Sequence, residues 1–216
     1  MNEVIEIIPV GMFQCNCIIL GDASTKEAIV IDPGEQISTI LERLKKHGLK
    51  VSSIVHTHTH IDHVGATTDL QKETNGRVCL HKEDLFLYEK MDMQAQYLRL
   101  PPSKFEKPVP VDEFLVDGYA LKAGALEGTT LHVPGHTPGS CAFYFPKALE
   151  SGILFPGDTL FAGSIGRTDL WKGDYDQEIA SIKKKLIPLG DEVVVIPGHG
   201  PKTTIGFEKK NNPFLN

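Results

Sequence analysis

Apolar and polar positions along the chain change period several times, and each change marks an element. Short runs rich in β-branched residues at 4–10, 17–20 and 28–32, the last ending at Pro33-Gly34, predict three strands. Ile37, Ile40, Leu41 and Leu44 recur at helical spacing and Gly48 stops them, which predicts a helix over 36–47. A strand is expected at 51–55. A helix opening at Asp62 or His63 should run through Val64, Leu70 and Lys72 to Asn75-Gly76, followed by a strand at 77–80 and a helix over 83–98. Between 100 and 111, Pro101, Pro102, Pro108 and Pro110 exclude any regular element, so the stretch reads as a connecting loop, with a lid as the other use of such length. Strands return at 129–133, 141–145, 152–155 and 193–196, with a helix over 175–186. Strands and helices mixed without strict alternation predict packed sheets with helices outside them, in one domain over 1–216.

Composition narrows the class. The 216 residues are 41% hydrophobic and 23% charged, as in ordinary globular proteins. A formal net charge of −6 argues against a surface that gathers nucleic acid or anionic lipid, and Lys183-Lys184-Lys185 reads as the solvated face of a helix. Cys15, Cys17, Cys79 and Cys141 form neither a CxxC pair nor a disulfide framework, no basic n-region precedes an apolar run, and no apolar run reaches the roughly 20 residues of a membrane span. A cytoplasmic protein acting on a small molecule is the expectation.

The chemistry lies in His56-Thr57-His58-Thr59-His60-Ile61-Asp62-His63, directly after the 51–55 strand. Residues two apart share a face of an extended chain, so His58 and His60 can converge on one point, and Asp62 and His63 follow where a helix begins. Imidazole and carboxylate suit zinc and other borderline divalent ions. An HxHxDH string arises by chance in roughly one chain per thousand of this composition. Three further strands each end in Pro-Gly followed by a metal-binding residue: Pro134-Gly135-His136, Pro156-Gly157-Asp158 and Pro197-Gly198-His199. Proline ends strand pairing and glycine allows a turn or close approach that a Cβ blocks. Together these would bring five histidines and two aspartates to one edge of the sheets, more than one tetrahedral ion needs and enough for two ions sharing a carboxylate. His47, His56, His81 and His132 are read as satisfied core or surface residues, and Cys17 and Cys141 as small core residues. Arg167, in a glycine-flanked loop, has two uses of equal weight: holding a substrate carboxylate bidentately, or pairing with Asp169 to fix the loop.

On these residues the chain resembles the metallo-β-lactamase superfamily over nearly its whole length. The resemblance implies a four-layer αββα sandwich of the α/β (α+β) class, with His58, His60 and His136 on one ion, Asp62, His63 and His199 on a second, and Asp158 bridging. Gly157-Asp158-Thr159-Leu160-Phe161 and Ser164-Ile165-Gly166-Arg167-Thr168-Asp169 are similar to the glyoxalase II (hydroxyacylglutathione hydrolase) group, in its short bacterial form without the C-terminal helical domain. That likeness implies a dinuclear hydrolase in which metal-bound hydroxide cleaves a thioester or related ester, with Asp62 and Asp158 catalytic and Arg167 binding substrate. Two divalent ions are implied, zinc foremost, with iron or manganese as alternatives. The Gly-Arg-Thr-Asp string is also similar to persulfide dioxygenases, where a single iron would sit on residues matching His58, His136 and Asp158. Exported β-lactamases, which lack the bridging aspartate, and ribonuclease Z-type nucleases fit less well.

Overall fold

The computed structural model describes residues 2–100 and 107–215, so Pro101 and Pro102 of the expected loop lie outside it. Pro108 and Pro110 lie in irregular chain. The first sheet has the order β1 (Glu3–Val10), β2 (Cys15–Asp22), β3 (Glu27–Ile31), β4 (Lys50–Val55), β5 (Arg77–His81) and β6 (Glu113–Leu115). β1 to β3 form an antiparallel meander, whereas β3 to β6 are parallel. Parallel neighbours need crossovers, and α1 (Ile37–His47) supplies the one from β3 to β4, α2 (Ile61–Val64) and α3 (Thr67–Thr74) the one from β4 to β5. α1 ends where expected: Gly48 takes the left-handed conformation and donates to Leu44 and Lys45 carbonyls.

The expected helix over 83–98 is instead a 3-10 turn at Lys82–Asp84, α4 (Leu85–Tyr88) and α5 (Met91–Tyr97). The second sheet contains β7 (Ala120–Ala123), β8 (Leu126–His132), β9 (Cys141–Phe145) and β10 (Ile153–Phe155). After a small hairpin of β11 (Leu160–Phe161) and β12 (Ser164–Ile165) and helix α6 (Tyr175–Ser181), β13 (Val194–Val195) joins β10 in parallel, and β14 (Thr203–Thr204) pairs with β13. α7 (Ile205–Asn211) follows.

Three apolar layers hold these parts together. Between the sheets lie Ile18, Leu20, Ile29 and Ile31 against Phe143, Phe145 and Phe155. The outer face of the first sheet, with Cys17, Ile19, Val30 and Ile54, is covered by Ile40 and Leu44 of α1 and Leu70 of α3. The outer face of the second, with Ala142, Leu154 and Val195, is covered by Ile182, Leu186 and Ile205. The near-continuous burial of β2 and β3 follows from this, because both of their faces are packed. The result is the αββα order expected above, a metallo-β-lactamase fold of the α+β class.

Candidate metal centre

The sheets also meet along one edge through backbone bonds: Cys141 N–H donates to Thr57 O and Asn16 N–H to Gly198 O, both at 2.7 Å, while within the second sheet Gly198 N–H donates to Gly157 O at 2.8 Å. Asn16 Nδ2 adds bonds to Pro197 O and Gly200 O. These ties draw the chain leaving β4 against the chain leaving β8, β10 and β13. All seven residues singled out from the sequence converge there.

Two clusters form. In the first, His58 Nε2 lies 3.1 Å from His60 Nδ1, and His136 Nε2 lies 3.2 Å from His58 Nε2 and 2.9 Å from His60 Nδ1. In the second, His199 Nε2 lies 3.2 Å from both His63 Nε2 and Asp62 Oδ2. Asp158 stands between them, Oδ1 3.4 Å from His63 Nε2, and Oδ2 3.7 Å from His136 Nε2 and 3.6 Å from His199 Nε2.

Three of the outer ring nitrogens are already used, whereas buried His60 Nε2 has no partner among the described residues. His136 Nδ1 donates to Arg167 O at 2.7 Å, His199 Nδ1 to Phe13 O at 2.9 Å and His63 Nδ1 to Asp32 Oδ2 at 3.0 Å. Each bond leaves Nε2 facing inward; His136 is neutral and offers a lone pair there, whereas the proton that the neighbouring acids favour on His63 and His199 is one a binding ion would displace. Burial holds the imidazoles of His58 and His136 below their usual range and His60 down at about 3, so all three are neutral at neutral pH. Burial would neutralise Asp158, but the charge and hydrogen bond of His63, joined by His199, override it and keep the carboxylate ionised. His63 and His199 also resist burial, because the neighbouring acids raise both above the usual histidine range.

This donor set fits divalent ions. Three nitrogen atoms 2.9–3.2 Å apart approach the roughly 3.4 Å ligand spacing of a tetrahedral zinc with bonds near 2.0–2.1 Å. Buried Asp158 Oδ1 has no hydrogen-bond partner among the described residues, an orphan of the kind a cation satisfies.

Close packing delivers the ligands. Gly157 has φ +54°, and a Cβ there would stand 2.3 Å from Thr57 Oγ1. A Cβ on Gly198 would stand 2.1 Å from Asp158 Oδ1. Side chains that periodicity did not reveal fix the HxHxDH turn from behind. Asp32 accepts from Thr57 N–H and Thr57 Oγ1 as well as from His63. Asp84 accepts from Thr59 N–H on one loop and from Thr137 Oγ1 and Gly139 N–H on the other. Gln94 bonds Thr59 O and Ile61 N–H. Asp32 carried one signal, its place between a strand and Pro-Gly; Asp84 and Gln94 carried none, since their partners are distant in sequence.

A cavity of about 320 Å³ opens over the clusters, bounded by His60, Asp62, His136 and Asp158 and walled by Phe13, Leu98, Phe161, Leu170 and Trp171. Trp171, the chain's sole tryptophan, packs its ring 5.4 Å from that of His60. Arg167 reaches the rim, but its guanidinium is held bidentately by Asp169 at 2.7 and 2.8 Å, with 59% of its side chain exposed. Of its two expected uses, the structure displays the pairing with Asp169.

The family model of the metallo-beta-lactamase superfamily matches residues 10–199. Among curated proteins, the hydroxyacylglutathione hydrolase GloC of Haemophilus influenzae is 42% identical over 213 residues, covering 98% of each chain. Among solved structures, the BLEG-1 B3 metallo-beta-lactamase superposes with a TM-score of 0.88 at 37% identity, covering 98% of this chain and 99% of that one. TTHA1623 in a di-iron-bound form gives 0.85 at 38% identity, covering 97% and 100%.

Proposed function

Because the chain belongs to the metallo-β-lactamase superfamily, we propose that it is a dinuclear metallohydrolase that cleaves a small-molecule thioester or related ester. The observation that carries the proposal is the position of Asp158, with one oxygen toward His63 and the other toward His136 and His199. In this reading His58, His60 and His136 hold one ion, Asp62, His63 and His199 hold the other, and Asp158 serves both.

Divalent ions, when bound, lower the pKa of a water from about 15.7 to about 7 and offset charge developing on a carbonyl oxygen. The chain's own residues do the rest. Asp62 borders the cavity with Oδ2 turned to His199; His63 and His199 hold it ionised against burial, so it accepts a hydrogen bond from an attacking water and orients it. Phe161, Leu170 and Trp171 exclude bulk water from the reacting carbonyl. A thiolate leaves without a strong general acid, which matches a cavity whose bordering acids, Asp62 and Asp158, are both held ionised. Arg167 would bind a substrate carboxylate by exchanging it for Asp169. The thioester is favoured by the relative named hydroxyacylglutathione hydrolase. Zinc is the first choice of metal, and the di-iron form of a similar structure keeps iron in the comparison.

The test runs metal analysis, S-lactoylglutathione hydrolysis and persulfide-dependent oxygen uptake side by side. Two ions per chain with hydrolysis are expected, and Asp158→Ala should lose both metal and at least about a hundredfold in rate. Iron at one per chain, with oxygen uptake and no hydrolysis, would favour a mononuclear persulfide dioxygenase on His58, His136 and Asp158 and overturn the proposal.

A further inference from the structure

The two sheets meet at a second cluster of metal-binding side chains. His81 is the last residue of β5 in the first sheet and His132 the last of β8 in the second. Their rings stack with centroids 3.9 Å apart and planes 14° from parallel. A nitrogen from each ring and a carboxylate oxygen of Glu83, in the turn after β5, lie within 4.8 Å of one another. None of the three belongs to the centre described above.

We propose that His81, Glu83 and His132 bind an additional divalent ion of the zinc class, which ties β5 to β8. Two imidazoles and one carboxylate are the donor set of three-ligand zinc sites, with water in the remaining position. His132 is already arranged as a ligand: its Nε2–H donates to Pro138 O at 2.9 Å, which leaves the lone pair on Nδ1. A backbone carbonyl holding the outer nitrogen is the usual support of a ligating ring. Both rings are partly exposed and Glu83 is exposed, so an ion can enter from solvent. Stacked rings cannot point two lone pairs at one ion about 2.0–2.1 Å away, so one ring must turn about its Cβ–Cγ bond. His81 is the one that turns, because the bond its Nδ1 accepts from Glu83 N–H is a long 3.3 Å. Glu83 reaches the same point by rotating its exposed side chain. The pairing escapes the sequence because His81 and His132 are brought together by the meeting of the two sheets.

Zinc bound at equilibrium dialysis, measured by elemental analysis, tests this on the full-length protein. His81→Ala and His132→Ala should each carry one equivalent fewer than the wild type, whatever the wild-type total. Glu83→Gln, which leaves both rings in place, should weaken the last equivalent about tenfold. Hydrolysis of S-lactoylglutathione should be unchanged in all three, which separates failure of this site from failure of the proposed active centre. Wild-type stoichiometry and affinity in all three variants would overturn the proposal. A loss of more than one equivalent in Glu83→Gln would also overturn it, by showing that the cluster supports the main centre instead. If either alanine variant fails to fold, Glu83→Gln decides alone.

Discussion

Glu178 is fully buried beneath the His136 turn, its carboxyl set beside the Gly166 backbone. A Cβ on Gly135 would stand 2.2 Å from its Cβ, so nothing larger than glycine fits between them. Burial, reinforced by the Asp158 charge, pushes this carboxyl from 4.5 up to about 9. It is therefore neutral in the fold and ionised in the unfolded chain between those values, and folding takes up a proton. Stability must then fall as pH rises through that window, by at most about 1.4 kcal/mol per pH unit. Glu178→Gln should exceed the wild type by roughly 2–4 kcal/mol at about pH 8 and match it near pH 5 in urea unfolding. A gap that stays constant with pH would show that Glu178 is ionised in the fold. No periodicity pointed to this residue. By contrast, the HxHxDH residues were legible individually, because their spacing of two on an extended chain is itself geometry.

Helices and strands follow the apolar pattern where a whole face packs, and depart from it where the backbone itself turns away. α1 runs to the expected end, whereas the 83–98 helix is broken at Lys90, whose backbone (φ −123°, ψ 44°) leaves the helical region between α4 and α5. The helix expected to run from Asp62 to Asn75-Gly76 is likewise split into α2 and α3, with Ala66 N–H donating to Pro33 O at 2.9 Å, a bond to the loop after β3 instead of to its own helix. β6, β7, β14 and α7 were missed because short edge strands and a short terminal helix carry too few positions to show a period. The Pro-Gly strand ends were read correctly, and their strictness can be measured. Gly157→Ala should cost about 2–4 kcal/mol and release metal, through a positive φ combined with the Thr57 contact. Gly48→Ala, at φ +65° with nothing within 4 Å, should cost about 1 kcal/mol and keep its metal. Equal costs in chemical unfolding would mean that crowding at the strand tip is not what selects glycine.

For the molecule as a whole, the proposed centre is a clasp between halves of the chain. His58, His60, Asp62 and His63 leave the first sheet, while His136, Asp158 and His199 leave the second. Ions that bind only the folded chain stabilise it, by about 2.7 kcal/mol for a site held at a hundred times its Kd. Complete removal of metal by a chelator should therefore lower Tm by roughly 5–10 °C, and Asp158→Asn should abolish most of that difference. An unchanged Tm after verified metal removal would show that the sheets hold the clasp without ions. Among the described residues no helix is long and apolar enough to cross a membrane. The sequence by itself determined the seven candidate ligands and the layered class, because ligand spacing and apolar period are local properties of the chain. Only the tertiary structure decided which ligands face one another, that Asp32 and Asp84 hold them in place, that Arg167 is paired with Asp169, and that His81 meets His132. Arg167 and Asp169 are near neighbours whose pairing the sequence offered as one of two uses, and the structure selects it. The Asp84–Thr137 and His81–His132 contacts join residues far apart in sequence and exist only because the two sheets pack against each other.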